Sequence, residues 1–166
     1  MPTLIKDGVI AVDTYVPVLP VDGVLTLPAG GDILVSLDTF TAHREQVLAH
    51  GGRKGVQLKP DQFAESLADV VASLDLIAVE FPAFADGRGY STAYLLRQRL
   101  GYGGELRAVG DVFKDTLFYQ QRVGFNAFAI RDDKDASVAL KGLQDFSEVY
   151  HASADQPSPL FRRRLA

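Results

Sequence analysis

The sequence contains no cysteine, no tryptophan and a single methionine among 166 residues. The missing cysteines exclude disulfides, thiolate catalysis, cysteine zinc sites and cysteine-ligated iron–sulfur clusters or haem in this chain. Histidine is nearly as scarce: His43, His50 and His151 have no second histidine at ligand spacing, so the expectation is no metal site and no bound cofactor. His43 and His50 read as surface residues of one helix face. Long apolar runs are missing too. The longest, about residues 74–84, is interrupted by Asp75, Glu80 and Pro82, and falls far short of the ~20 residues a bilayer needs. The first residues, Met1 to Gly8, lack the apolar stretch of a signal peptide, and a cytoplasmic protein without membrane contact is expected.

Excess positive charge is also absent. Seventeen Lys and Arg against 21 Asp and Glu give a net charge of −4, which argues against nucleic acid as a partner. No Walker A sequence occurs, and Gly87-x-Gly89 lacks the third glycine of a dinucleotide fingerprint. What remains is ordinary globular composition, 47% apolar and 23% charged, in the length of about one domain.

The pattern along the chain divides into three. In residues 1–31, Asp7-Gly8 between Leu4–Lys6 and Val9–Val12 signals a β-hairpin arm, and Pro17, Pro20 and Pro28 exclude helix after it. From 32 to 151, apolar runs at 33–37, 56–58, 76–81, 106–109 and 127–130 alternate with segments of helical spacing. These are expected at about 41–50, 63–74, near 95–100, near 117–123 and from Asp132 to Tyr150, with Ser91 and Asp111 as caps of the third and fourth and Asp132 and Asp135 as the N-cap and first-turn pair of the last. This rhythm predicts an α/β domain of about five mostly parallel strands, as an open doubly wound sheet or as a partial βα barrel completed by oligomerisation. Residues 152–166 read as a flexible basic tail. Its Leu160, Phe161, Arg162 and Arg163 are candidate partner-docking residues, and a homo-oligomer is one arrangement the arm and tail would permit.

Ligands of parallel α/β folds sit at the carboxyl ends of the strands. Glu80-Phe81-Pro82-Ala83-Phe84-Ala85-Asp86-Gly87-Arg88-Gly89-Tyr90-Ser91 is the densest such segment. Two glycines bracket an arginine just before a helix start, a pattern suited to an oxyanion. The plainer reading is an Asp86-Gly87 turn, with Arg88 paired to Asp86 and Ser91 as the cap. The candidate anion-binding set is Arg88, Gly89, Ser91, Arg107, Lys114 and Arg131, and Glu80 and Asp111 are the candidate acid–base residues. Arg107 and Asp111 would reach one rim if their strand stops near Val109, as a brace or as part of a site.

Asp86-Gly87-Arg88-Gly89-Tyr90-Ser91-Thr92-Ala93, Gly104-Glu105-Leu106-Arg107-Ala108-Val109-Gly110-Asp111-Val112 and Gly124-Phe125 closely resemble a bacterial family named domain of unknown function 934. Lys6-Asp7-Gly8 and Leu27-Pro28-Ala29-Gly30-Gly31-Asp32 extend the resemblance over nearly the whole chain. The family is labelled as probably involved in sulfite reduction, and its members are commonly encoded beside the sulfite reductase haemoprotein. The resemblance implies a pathway, and that haemoprotein or a small oxyanion as partner. It carries no catalytic residue.

Overall fold

A computed structural model describes residues 3–164; Met1 and Pro2 of the arm and Leu165 and Ala166 of the tail lie outside them. The hairpin forms as its turn chemistry dictates. Thr3–Lys6 (β1) and Val9–Ala11 (β2) pair antiparallel around Asp7 and Gly8, both at positive φ, the geometry of a type I′ turn. The arm is not separate from the domain. β1 also pairs antiparallel with Ala127–Ile130 (β8), and Tyr15–Pro17 (β3) pairs in parallel with Asp32–Ser36 (β4).

Between them run Lys54–Leu58 (β5), Leu76–Phe81 (β6) and Glu105–Gly110 (β7). The sheet therefore has eight strands, in the order β2-β1-β8-β7-β6-β5-β4-β3, rather than five. All pairings from β3 to β8 are parallel and follow chain order. A doubly wound sheet would reverse its strand order at a switch point, and this one never does. With right-handed crossovers, consecutive parallel strands put every connecting helix on one face. The result is a curled half-barrel, the partial-barrel form of the expected fold.

The curl follows from chain reach. Seven strand spacings of ~4.8 Å would place the edges of a flat sheet ~34 Å apart. Yet Ala11 of β2 and Tyr15 of β3, on opposite edges, are joined by only Val12, Asp13 and Thr14. Four Cα steps reach at most ~15 Å. The sheet must bend until its two edges approach, and these three residues strap them together.

Strand alternation then assigns the faces. Val35, Val56, Ile77 and Leu106 are in register on the face that packs with the helices, as are Leu58, Val79, Ala108, Phe128 and Ile5 one layer further along. The opposite, inner face carries Gln57, Ala78, Arg107 and Ala127 in one layer and Glu80 in the next.

Several of the helices are shorter or more broken than the spacing predicts. The first is two pieces, Leu37–Ala42 (α1) and Arg44–Leu48 (α2), broken at His43; Ser36 Oγ accepts from Thr39 N at 3.1 Å to cap α1. His50 is buried rather than exposed, its Nε2 2.8 Å from the Gly31 carbonyl. Residues 63–74 form two 3₁₀ turns, at Ala64–Leu67 and Val71–Ser73. Buried Ala64, Leu67 and Val70 step by three, a period that suits a 3₁₀ turn, and Phe63 is left in solvent. Arg88–Gln98 (α3) and Lys114–Arg122 (α4) follow β6 and β7. The fifth, Ala136–Gly142 (α5), starts later than expected and is capped by Asp135 rather than Asp132, the Asp135 carboxylate accepting from Ser137 N at 2.7 Å. It stops at Gly142, where a Cβ would lie 2.7 Å from the Lys114 carbonyl oxygen. Phe146 and Tyr150 therefore fall outside it and are exposed.

Candidate functional site

The carboxyl ends of β6, β7 and β8 meet at a shallow cavity of 440 Å³ lined by Glu80, Asp111 and Arg131 among others. The register fixes this meeting. Glu80 faces Val109 and Phe81 faces Gly110, and the chain turns so that Asp111 N donates to the Phe81 carbonyl at 2.7 Å. Gly110 makes the turn possible: its φ is +94°, and a Cβ there would stand 2.3 Å from the Phe81 oxygen. Arg131 enters from the end of β8, its N–H bonded to the Val112 carbonyl at 3.1 Å.

Arg131 is a fork between two carboxylates. It donates to Asp111 at 2.5 Å and to both oxygens of Asp133 at 2.9 and 3.0 Å. These bonds, Asp111's first, raise the arginine's pKa further, and the same guanidinium holds the Asp133 carboxyl below its ordinary range. Glu80, half-buried, accepts from Gln57 Nε2 at 3.3 Å. Gln57 escaped notice in the sequence because it lies inside the apolar run Val56–Leu58. The alternation of a strand was the signal that could have found it.

Arg88 does not reach this cavity. It forks onto Asp86 at 3.0 and 2.6 Å, and its backbone N–H bonds the same carboxylate at 3.1 Å. That contact holds Asp86 well below the usual carboxylate range. Gly87, not Ser91, is the N-cap of α3, and Ser91 is exposed within the helix. Gly89 meets no open space either. A Cβ there would fall 2.7 Å from Phe81 Cζ, so this glycine lets α3 pack against the end of β6. At α4 the N-cap is Phe113 rather than Asp111, with Thr116 Oγ1 accepting from Phe113 N at 3.3 Å. Lys114 turns away toward Asp145, 3.8 Å distant.

Arg107 lies elsewhere altogether. β7 runs on to Gly110, which leaves Arg107 three residues short of its end and 3% exposed on the inner face. It donates through Nε to Glu105 at 2.8 Å and through Nη1 to Asp13 at 2.8 Å, with the Tyr15 ring 5.4 Å away. Glu105 also holds Lys6 at 2.7 Å. Asp13–Arg107–Glu105–Lys6 is a neutral chain of charges inside the curl, and the expected pairing of Arg107 with Asp111 is not made.

The tail residues form a single short turn, Leu160–Arg163 (α6). Leu160 N donates to the Tyr150 carbonyl at 3.0 Å, and Arg163 pairs with Glu148 at 3.1 Å and bonds the Val149 carbonyl at 2.8 Å. Phe161 and Arg162 face outward.

The profile of a bacterial protein family of unknown function, DUF934, matches residues 55–161. The chain belongs to that family. The DUF934 match begins in β5, takes in the cavity and the α3 and α4 starts, and ends at the second residue of α6; the strap and β1–β4 precede it. No curated protein matches the chain. Among the described residues no three acidic or histidine side chains are grouped to hold a metal ion, and no helix is long and apolar enough to cross a membrane.

Proposed function

We propose that this DUF934 chain is a cytoplasmic accessory protein of assimilatory sulfite reduction that docks on the sulfite reductase haemoprotein or a neighbouring pathway protein. The observation that carries this over a catalytic reading is the state of the rim. Each cation there is already held by a carboxylate of the same chain: Lys59 by Asp38 at 2.9 Å, Arg88 by Asp86 at 2.6 Å, Arg131 by Asp111 at 2.5 Å and Lys114 by Asp145 at 3.8 Å. A substrate oxyanion would have to displace an internal partner at every one of them. The arm offers the opposite: Val9, Val12, Val16, Leu19, Val21 and Val24 are between 58% and 86% exposed beside two unpaired sheet edges. An exposed apolar set of that kind suits contact with protein. Tagged protein expressed in its bacterial host should retain sulfite reductase through washing at physiological salt. Clean separation of the two removes the docking reading.

A second reading, a small-oxyanion or phosphorylated-metabolite site, is favoured by one feature. Arg131, 40% exposed, opens onto the 440 Å³ cavity with Glu80 and Asp111 beside it. An oxyanion there would replace Asp133 on the outer edge of the guanidinium. Sulfite, sulfate or a phosphosulfate at ~100 times its dissociation constant should then add ~2.7 kcal/mol of stability in the wild type and none in Arg131→Ala. No shift with any of them removes the site.

A further inference from the structure

A larger cavity, of 620 Å³, lies between α4 and residues 145–153, and shares none of the lining of the 440 Å³ cavity. Its walls are aromatic and poorly covered: Tyr119 is 68% exposed, Phe146 63% and Tyr150 61%. Phe118 packs against Phe146 at a tilt of 51° with centroids 4.8 Å apart, which fixes one wall. The margins are acidic, with Asp115, Asp145 and Glu148, while the one arginine lining it, Arg122, is bonded to Asp155 and to the His151 carbonyl. An acid-edged aromatic groove fits an apolar anchor carrying positive charge.

α6 has that chemistry and sits beside the groove without lining it. Phe161 is 52% exposed with the Arg162 guanidinium 5.9 Å above its ring, and Arg164 is exposed. The bonds from Leu160 to Tyr150 and from Arg163 to Val149 and Glu148 hold α6 against the outside of the groove wall. Within one chain, then, the Arg163–Glu148 pair already makes one basic-to-acidic contact between these two segments, and Phe161, Arg162 and Arg164 remain outward.

We propose that the groove receives α6 of a second copy of the chain, so that the protein forms a two-fold dimer. Groove and helix are fixed next to each other on one surface. A two-fold rotation can therefore lay each helix in the other's groove, making the same contact twice. Phe161 becomes buried among Tyr119, Phe146 and Tyr150, and Arg162 and Arg164 meet Asp115 and Asp145, which exchanges its 3.8 Å contact with Lys114 for the shorter one. This inference is independent of sulfite reductase, because it needs only the chain itself.

Sedimentation equilibrium of the full chain is the test. The wild type should dimerise. Arg162→Glu with Arg164→Glu, and separately Asp115→Lys with Asp145→Lys, should each weaken association at least about tenfold, since like charges then face each other. Mixing the two doubly substituted proteins should restore the dimer as a heterodimer, because both of its contacts regain opposite charges. If a charge variant loses its circular dichroism, Tyr119→Ser, at an exposed site, carries the test by the same loss of dimer. A wild type that stays monomeric overturns the proposal. So does a dimer that both charge reversals leave unchanged, or a mixture that fails to recombine.

Discussion

Asp13 and Arg107 are 94 residues apart in sequence and 2.8 Å apart in space. One belongs to the strap that joins the sheet's two edges and the other to the middle of the sheet, so their contact pins the curl from inside.

The cost of breaking it from one side is the first expectation. Arg107→Ala leaves Glu105, 5% exposed, with Lys6 still beside it and should lower unfolding free energy by about 3 kcal/mol, the low end of the cost of breaking a buried pair. Asp13→Asn removes the charge at the wetter end, where Asp13 is 35% exposed, and should cost less, about 1 kcal/mol. Urea unfolding of both proteins measures the order; equal costs would mean that the pair does not sit in the dry interior.

Gly110 and Gly89 both abut Phe81, one at its backbone carbonyl and the other at the tip of its ring. Gly110→Ala combines a positive φ with a clash against the Phe81 carbonyl and should cost more than the ~1–2 kcal/mol of left-handed strain alone. Gly89→Ala meets only the far edge of the Phe81 ring and should cost about 1–3 kcal/mol. Thermal melts of the two variants compare them directly.

Gln120 on α4 is fully buried, and neither its Oε1 nor its Nε2 has a hydrogen-bond partner among the described residues. Burying an amide in this way is unfavourable by about 1–3 kcal/mol. Gln120→Met keeps the volume and removes the polar atoms, so it should raise the unfolding free energy by about 1 kcal/mol. A loss of stability in chemical denaturation would show that the amide is satisfied in solution.

The strap should also make stability sensitive to acid. The hydrogen bond from Arg53, and then that from Thr14, lower the Asp32 carboxyl to about 2. A depressed acid stabilises the fold above its unfolded value near 4 and loses that contribution as pH falls from ~4 toward 2. Asp32→Asn should flatten the melting temperature across that window. At the alkaline end the sign reverses. Burial is the main cause that pushes Tyr15 up to about 12, so its contribution holds below pH ~10 and is lost between 10 and 12. Tyr15→Phe should flatten that limb alone.

Much of the parallel core was legible, because Ile33–Leu37, Leu76–Phe81 and Ala127–Ile130 are apolar runs at strand length and Asp7-Gly8 allows one turn type. Tyr15–Pro17 was not. It is three residues long and ends in proline, so only its partner β4 reveals it as a strand. The candidate site residues do not share one place in the structure: Glu80, Asp111 and Arg131 line one cavity, and Arg107 lies in the interior. Arg107 sits in mid-strand on the inner face, where the strap's Asp13, 94 residues away in sequence, meets it, and no local pattern shows that partner. Asp111–Arg131 joins the ends of two strands, a contact set by register, which no local pattern contains.

The sheet's closure also orders the assembly of the molecule in time. β1 is made first, yet its partner in the sheet is the last strand, with Thr3 opposite Ile130. The hairpin can form early by itself, but it cannot be seated until the four strands from β5 to β8 have been synthesised and aligned. Docking it is thus a long-range step, the slow kind for a chain that otherwise builds neighbour onto neighbour. Until then the β8 edge is open to other strands, and that is when this fold is most exposed to mispairing.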